Sequence, residues 1–243
     1  MNTLSLNGEW SLRYHMEDGV MPETPDELSA LSWPQISAQV PGNVELDLVR
    51  AGLEEDPFYA ENIYAFRKYE FYQWWFERTF DAPEDTGNRW ILRNDGLNTF
   101  ADIFLNGERI GSSDNMLVEH EFDVTDALNY GEENMLTVRI RSAVNESRKM
   151  DVPVSVTGND NEDGYALVRM PPSCFGWDIM PRFLSAGMWR GVSLIERSET
   201  RLTQTYYVTR AIHGDGSADL LCRFRYETDA VTLDDFAVRL TGS

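Results

Sequence analysis

The chain has 243 residues and a formal net charge of −20, from 21 basic and 41 acidic side chains. Charge repulsion on that scale argues against nucleic acid and anionic membrane as partners, and no apolar run is long enough to span a bilayer. The two cysteines, Cys174 and Cys222, stand far apart and outside any CxxC pair, which argues against structural zinc and predicts free thiols in a cytoplasmic protein.

The length suits one large domain, or one plus part of a second. The opening MNTLSLNGEW lacks the basic and apolar regions of a signal peptide. Helical signals are scarce. A turn is expected in PDELSAL (residues 25–31), and a short helix in VELDLVRAGL (44–53), stopped by Gly52. Beyond these the pattern alternates. WWFERTF (74–80) and RWILRN (89–94) predict strands, with turns at Gly87-Asn88 and Asp95-Gly96. TFADIFLNGERIG (99–111) predicts a hairpin about Asn106-Gly107, because a type I′ turn needs positive φ at both central positions. HEFDVTDAL (120–128) predicts a strand, then a turn capped by Thr125.

In GEENMLTVRIRSAV (131–144), Leu136, Val138 and Ile140 face one way and Thr137, Arg139 and Arg141 the other. Residues 150–173 are long, polar and without period, as expected of a functional or mobile loop. GVSLIER (191–197) predicts a further strand. The pattern then restarts, and residues 200–213, 217–228 and 236–240 predict three strands, too few to close a second sandwich. Many short strands with turns between them predict an antiparallel β-sandwich.

Most signs of chemistry are weak. His15, His120 and His213 are scattered, and no nucleophile elbow is present. GDGSAD (214–219) lacks the lysine and helix of a phosphate cradle. NDNEDG (159–164) echoes half a calcium loop, but Met170 stands where a bidentate glutamate is needed, so no metal and no cofactor is expected. Asn145 begins a glycosylation sequon, read as surface. The 41 acidic residues offer no distinguishable pair for glycoside hydrolysis. FGWDIMPRF (175–183) differs from these. Prolines 171, 172 and 181 stiffen it, and an indole beside a carboxylate can cover a sugar's C–H face and accept its hydroxyl hydrogen bonds. The competing reading makes Trp177 core and Asp178 a turn cap.

LNGEW (6–10), VPGNVELDLVRAGLEEDPFYAEN (40–62), WWFERTF, DGLNTFADIFLNGERIG (95–111), FDVTDAL (122–128), GEENMLTVRIRS (131–142) and FGWDIMPRFLSAGMWRGVSLIE (175–196) follow one another in order. This succession resembles the N-terminal domain of family 2 glycoside hydrolases, in the β-mannosidase-like branch. The resemblance implies a jelly-roll, galactose-binding-like β-sandwich over residues 1–197. It implies that residues 198–243 open an immunoglobulin-like β-sandwich that is incomplete here. It also implies a catalytic (β/α)₈ barrel, with two glutamates working by the retaining mechanism, for which about 250 further residues are needed.

In that branch a W-D-W-G-P loop reaches over the barrel mouth, and its aspartate contacts sugar hydroxyls. Trp177 and Asp178 match its first two positions and Pro181 its last, while Ile179-Met180 replace the second W-G and remove an aromatic wall. Asn62 matches a position that approaches the same pocket. Trp189 and Arg190 match structural positions, with the indole in the core and the guanidinium on a carbonyl or carboxylate. The implied substrate-binding residues are therefore Asp178, Trp177 and Asn62, the ligand a β-linked sugar or glycoside of a β-mannosidase- or β-galactosidase-like enzyme. An independent carbohydrate-binding module, with Trp74-Trp75 as its platform, and a purely structural or oligomerisation module are the alternatives. The apolar residues after Arg197, among them Tyr206, Val208, Leu220, Cys222, Phe224 and Val238, are expected to fray or to dock on a second copy, giving a homodimer.

Overall fold

The computed structural model describes residues 2–151 and 166–232, with residues 234, 237 and 239. The chain opens with β1 (Thr3–Ser5) and β2 (Gly8–Met16), where Trp10, Leu12 and Tyr14 alternate inward. Thr24 caps α1 (Pro25–Ser29), β3 (Gln35–Val40) follows, and Asn43 caps α2 (Val44–Arg50), which stops before Gly52 at φ +71° as the sequence predicts. A 3-10 segment (Asn62–Phe71) leads into β4 (Tyr72–Asp81).

After these come β5 (Arg89–Asn94), β6 (Leu97–Asn98), β7 (Phe100–Leu105), β8 (Glu108–Ser113), β9 (His120–Asp123) and β10 (Glu133–Arg141). The turn between β7 and β8 has Asn106 at φ +54° and Gly107 at +87°, the predicted hairpin. Thr125 caps nothing. The Asp123 carboxylate takes its N–H and hydroxyl, and its Oγ1 accepts from Trp90 N. The remaining elements are α3 (Ala143–Ser147), a 3-10 turn (Pro172–Phe175), β11 (Gly187–Met188), β12 (Val192–Arg197), β13 (Arg201–Ile212) and β14 (Ala218–Glu227).

The strands form a galactose-binding-like sandwich. One antiparallel sheet runs β3-β2-β4-β10-β7-β8, the other β1-β12-β5-β9. Leu12, Trp74, Trp90, Leu136, Val138 and Ile140 fill the space between them. Adjacent strand residues point to opposite faces, so Trp74 enters this core, stacked on Tyr14 at 5.2 Å. Trp75 packs on the far face with Leu28 of α1 and Phe104. Neither indole forms a water-facing platform.

On that far face Asp102 lies among Arg109, Arg139 and Arg141. Burial opposes its charge, but hydrogen bonds from Arg139 and the surrounding guanidinium charges outweigh this and hold the carboxyl below its ordinary range. No helix among the described residues is long and apolar enough to cross a membrane. Among the described residues, β13 and β14 pair only with each other, as an antiparallel ribbon. Phe236 and Val238 of the expected third strand, NDNEDG (159–164) and most of the 150–173 insertion lie outside the described residues.

Candidate functional site: an anchored hairpin carrying Trp177 and Asp178

Gly176, at φ +113°, ends the 3-10 turn Pro172–Phe175 and turns the chain outward. Trp177 and Met180 then exchange both backbone hydrogen bonds, at 2.9 and 3.1 Å, which leaves Asp178 and Ile179 at the tip of a two-residue hairpin. Lower down, Phe183 N donates to Cys174 O at 2.8 Å and closes the arms. Trp177 is 66% exposed and Ile179 88%, so the tip stands in solvent. No described residue donates a hydrogen bond or forms an ion pair with the Asp178 carboxylate. The arrangement is therefore neither a core indole nor a capping aspartate.

The base of this hairpin is buried. Arg182 donates from Nε to both carboxylate oxygens of Glu70 at 3.0 Å and from Nη2 to Oε2 at 2.8 Å. Its guanidinium also lies 5.2 Å from the Phe175 ring centroid. Phe183 meets Phe66 edge-on at 5.8 Å. Glu70 and Phe66 both belong to the 3-10 segment, whose Ile63, Phe66 and Tyr69 recur every third residue, with Tyr72 next in the series at the start of β4. That spacing matches three residues per turn and was a readable signal for the segment. The pairing of Glu70 with Arg182, 112 positions away, had none.

Past the hairpin, Ser185 Oγ donates to Glu45 Oε2 at 2.7 Å, and Ser185 O accepts from Asn98 Nδ2 at 2.7 Å. Glu45, on α2, is fully buried, and burial pushes its carboxyl up to about 7 against the hydrogen bonds it accepts. Val44 N to Ala186 O and Gly42 N to Met188 O complete the attachment. Asn62 begins the 3-10 segment, and its Nδ2 donates to Asp56 O at 3.0 Å, closing a turn that exposes Phe58 and Tyr59. Trp177 and Asp178 thus share one hairpin, and the Asn62 amide is engaged in its own turn.

Trp189 and Arg190 are arranged otherwise than expected. The Trp189 indole is 36% exposed, lies against Gly96 where a Cβ would come within 2.5 Å, and donates to Met116 O at 3.2 Å. Arg190 stacks over that ring at 4.1 Å. Without a side chain at Gly96 the indole settles on backbone at the sandwich margin, which leaves its outer face for the guanidinium.

Comparisons with known proteins agree with this architecture. Residues 10–190 match the family described as glycosyl hydrolase 2 galactose-binding domain-like. Beta-mannosidase B of Thermothelomyces thermophilus is 38% identical over 176 residues, which cover 71% of this chain and 20% of that protein. The beta-mannosidase of Rattus norvegicus is 30% identical over 175 residues, 66% of this chain and 19% of that one. The crystal structure of the beta-D-mannosidase from Dictyoglomus thermophilum superposes with a TM-score of 0.76 at 30% identity, covering 94% of this chain and 26% of that one. The chain therefore spans about a fifth of the length of the curated relatives it matches. With its 4 + 6 sandwich, its matched span and these relatives, the chain belongs to the galactose-binding-like N-terminal domains of family 2 glycoside hydrolases, on the β-mannosidase-like side.

Proposed function

We propose that this chain is the non-catalytic sugar-binding part of a retaining β-glycosidase, and that its hairpin lends Asp178, flanked by Trp177, to a sugar subsite completed by a catalytic barrel. The observation that carries this reading is an exposed carboxylate without a described partner, on a tip whose base is held by buried polar contacts. Such a carboxylate is free to accept sugar hydroxyls, and an indole beside it can cover a C–H face. The ligand class is a β-linked glycoside of the mannoside or galactoside kind, the first of these consistent with the relatives' names.

In the same reading the sandwich ends at Arg197, and the ribbon from Ser198 opens a second, immunoglobulin-like domain. Two free thiols and the charge of −20 fit a cytoplasmic protein that binds neither nucleic acid nor membrane. Asn62 serves the subsite through the 3-10 segment it begins.

Titration of the 243-residue chain with mannose, galactose and glucuronate tests the division of labour. The expected result is no binding up to millimolar sugar and no hydrolysis of aryl glycosides above background. Millimolar or tighter binding would favour an independent carbohydrate module instead. Turnover abolished by a point substitution within the chain would overturn the non-catalytic assignment.

Self-association is the second expected property. Leu202, Tyr206, Tyr207, Ile212, Leu220 and Tyr226 are exposed on the ribbon, and a two-stranded ribbon is marginal alone. The 243-residue chain is expected to dimerise through it, more strongly at high salt, because the charge of −20 opposes association until screened. Sedimentation of this chain beside one ending at Arg197 checks this. Two monomers at high concentration and high salt would refute it.

A further inference from the structure

The geometry points to the buried Glu70–Arg182 pair as the element that aims the Asp178 hairpin, a positioning role distinct from any contact with sugar. This rests on the reading that Asp178 meets substrate. Trp177, Asp178, Ile179 and Met180 are all exposed, so packing holds the tip itself only weakly. Its direction is set at the base, where Arg182 touches both the opposite arm and the 3-10 segment. The guanidinium lies over Phe175, on the opposite arm, and binds Glu70, on the 3-10 segment, through Nε and Nη2. Two N–H donors on one carboxylate fix rotation as well as distance, which a point charge or an apolar contact does not. Glu70 is itself fixed. Arg67 Nε lies 2.9 Å from its Oε1, and its carbonyl accepts from Ser142 Oγ beside α3.

Stability alone does not explain such a pair. Glu70 and Arg182 are 6% and 8% exposed, and desolvating two charges generally costs as much as their attraction returns, so a well-packed apolar pair folds equally well. What the ion pair adds is a single orientation. Three residues at about 3.3 Å each put the tip about 10 Å from the pair. A base rotation of about 10° then moves Asp178 by nearly 2 Å, and about 1 Å of misplacement is enough to cost roughly 100-fold in rate.

The test uses the continuous enzyme. Glu70→Met with Arg182→Met is expected to leave the melting temperature within a few degrees of the parent and to lower kcat/KM by about 10- to 100-fold. In an Asp178→Ala background the same pair of substitutions is expected to change kcat/KM by less than about threefold, because the group being aimed is gone. Arg182→Lys, which keeps the charge and loses the fork, serves if the double variant does not fold, and is expected to lower kcat/KM by about tenfold in the parent and by less than about threefold in the Asp178→Ala background. An unchanged kcat/KM in the parent background, where Asp178 is intact, or an equal loss in both backgrounds, overturns the proposal.

A readout without turnover separates it from the reading it rests on. The paired amides of Trp177 and Met180 should exchange hydrogen at least about tenfold faster in the double variant of the 243-residue chain. Should Asp178→Ala itself leave activity intact, the sugar reading fails. Accelerated exchange would then still establish the aiming role, and unchanged exchange would refute it.

Discussion

Asp178→Ala in the continuous enzyme is expected to lower kcat/KM by roughly 2–4 kcal/mol, about 30- to 1,000-fold, while the melting temperature stays where it is. The loss is large because a carboxylate accepting sugar hydroxyls in a water-excluded subsite makes charge-assisted hydrogen bonds that water does not replace. The stability is insensitive because the side chain is exposed and no described residue bonds its carboxylate. Exposed substitutions of that kind stay within about 0.5 kcal/mol. The result that sinks the assignment is the reverse pattern, with activity within about threefold of the parent and a clear drop in melting temperature. That would make Asp178 a structural cap, contrary to the free carboxylate at the hairpin tip.

Much of the sandwich was legible because its strands carry a strict period. β10 shows it most plainly, with Leu136, Val138 and Ile140 inward and Arg139 and Arg141 on the far face. The β7–β8 turn was legible from Asn106-Gly107, since few other residue pairs accept positive φ at both positions. Trp74 and Trp75 were harder. One of two adjacent indoles was expected to reach water if the sheet had an open face, and a sequence does not show that Leu28 and Trp33 cover that face. The 3-10 segment was less legible, because its apolar residues recur at a spacing of three and not at the 3.6 period of an α-helix. At the site, the prolines and the Trp-Asp pair located the loop, and the family resemblance suggested its use. Its anchors were not legible. Glu70 reads as one of 41 acids, and only the fold brings it to Arg182. Ser185 likewise meets Glu45 across 140 positions.

Glu45 leads to the second large expected effect, a pH-dependent stability that a single substitution removes. Its carboxyl is fully buried, and burial lifts it from an ordinary 4.5 to about 7, with the charge of Asp47 adding a smaller push and hydrogen bonds from Ser185 and the amides of Glu45 and Ala186 pulling back. The folded value lies above the unfolded one, so the folded state prefers the neutral acid. The stabilising contribution is complete below about pH 4.5 and is lost as pH rises through about 7. Between pH 5 and pH 8 the loss is about 2–3 kcal/mol, or roughly 5–10 °C of melting temperature for a protein of this size. Some other carboxyls work in the opposite sense. Asp102, held low by its arginines, stabilises the fold above the ordinary carboxylate range and loses that contribution as acid protonates it. The melting curve of the parent alone therefore mixes both trends. Comparison with Glu45→Gln isolates one of them. Glutamine keeps an oxygen for Ser185 Oγ and carries no charge at any pH. Relative to the parent it is expected to gain about 2–3 kcal/mol at pH 8 over whatever difference exists at pH 5. A difference that is the same at both pH values would show that Glu45 does not titrate in this range. The effect reaches the site because Ser185 lies three residues from Arg182, so the carboxyl that meets the cost of charge above pH 7 also holds the segment leaving the Asp178 hairpin.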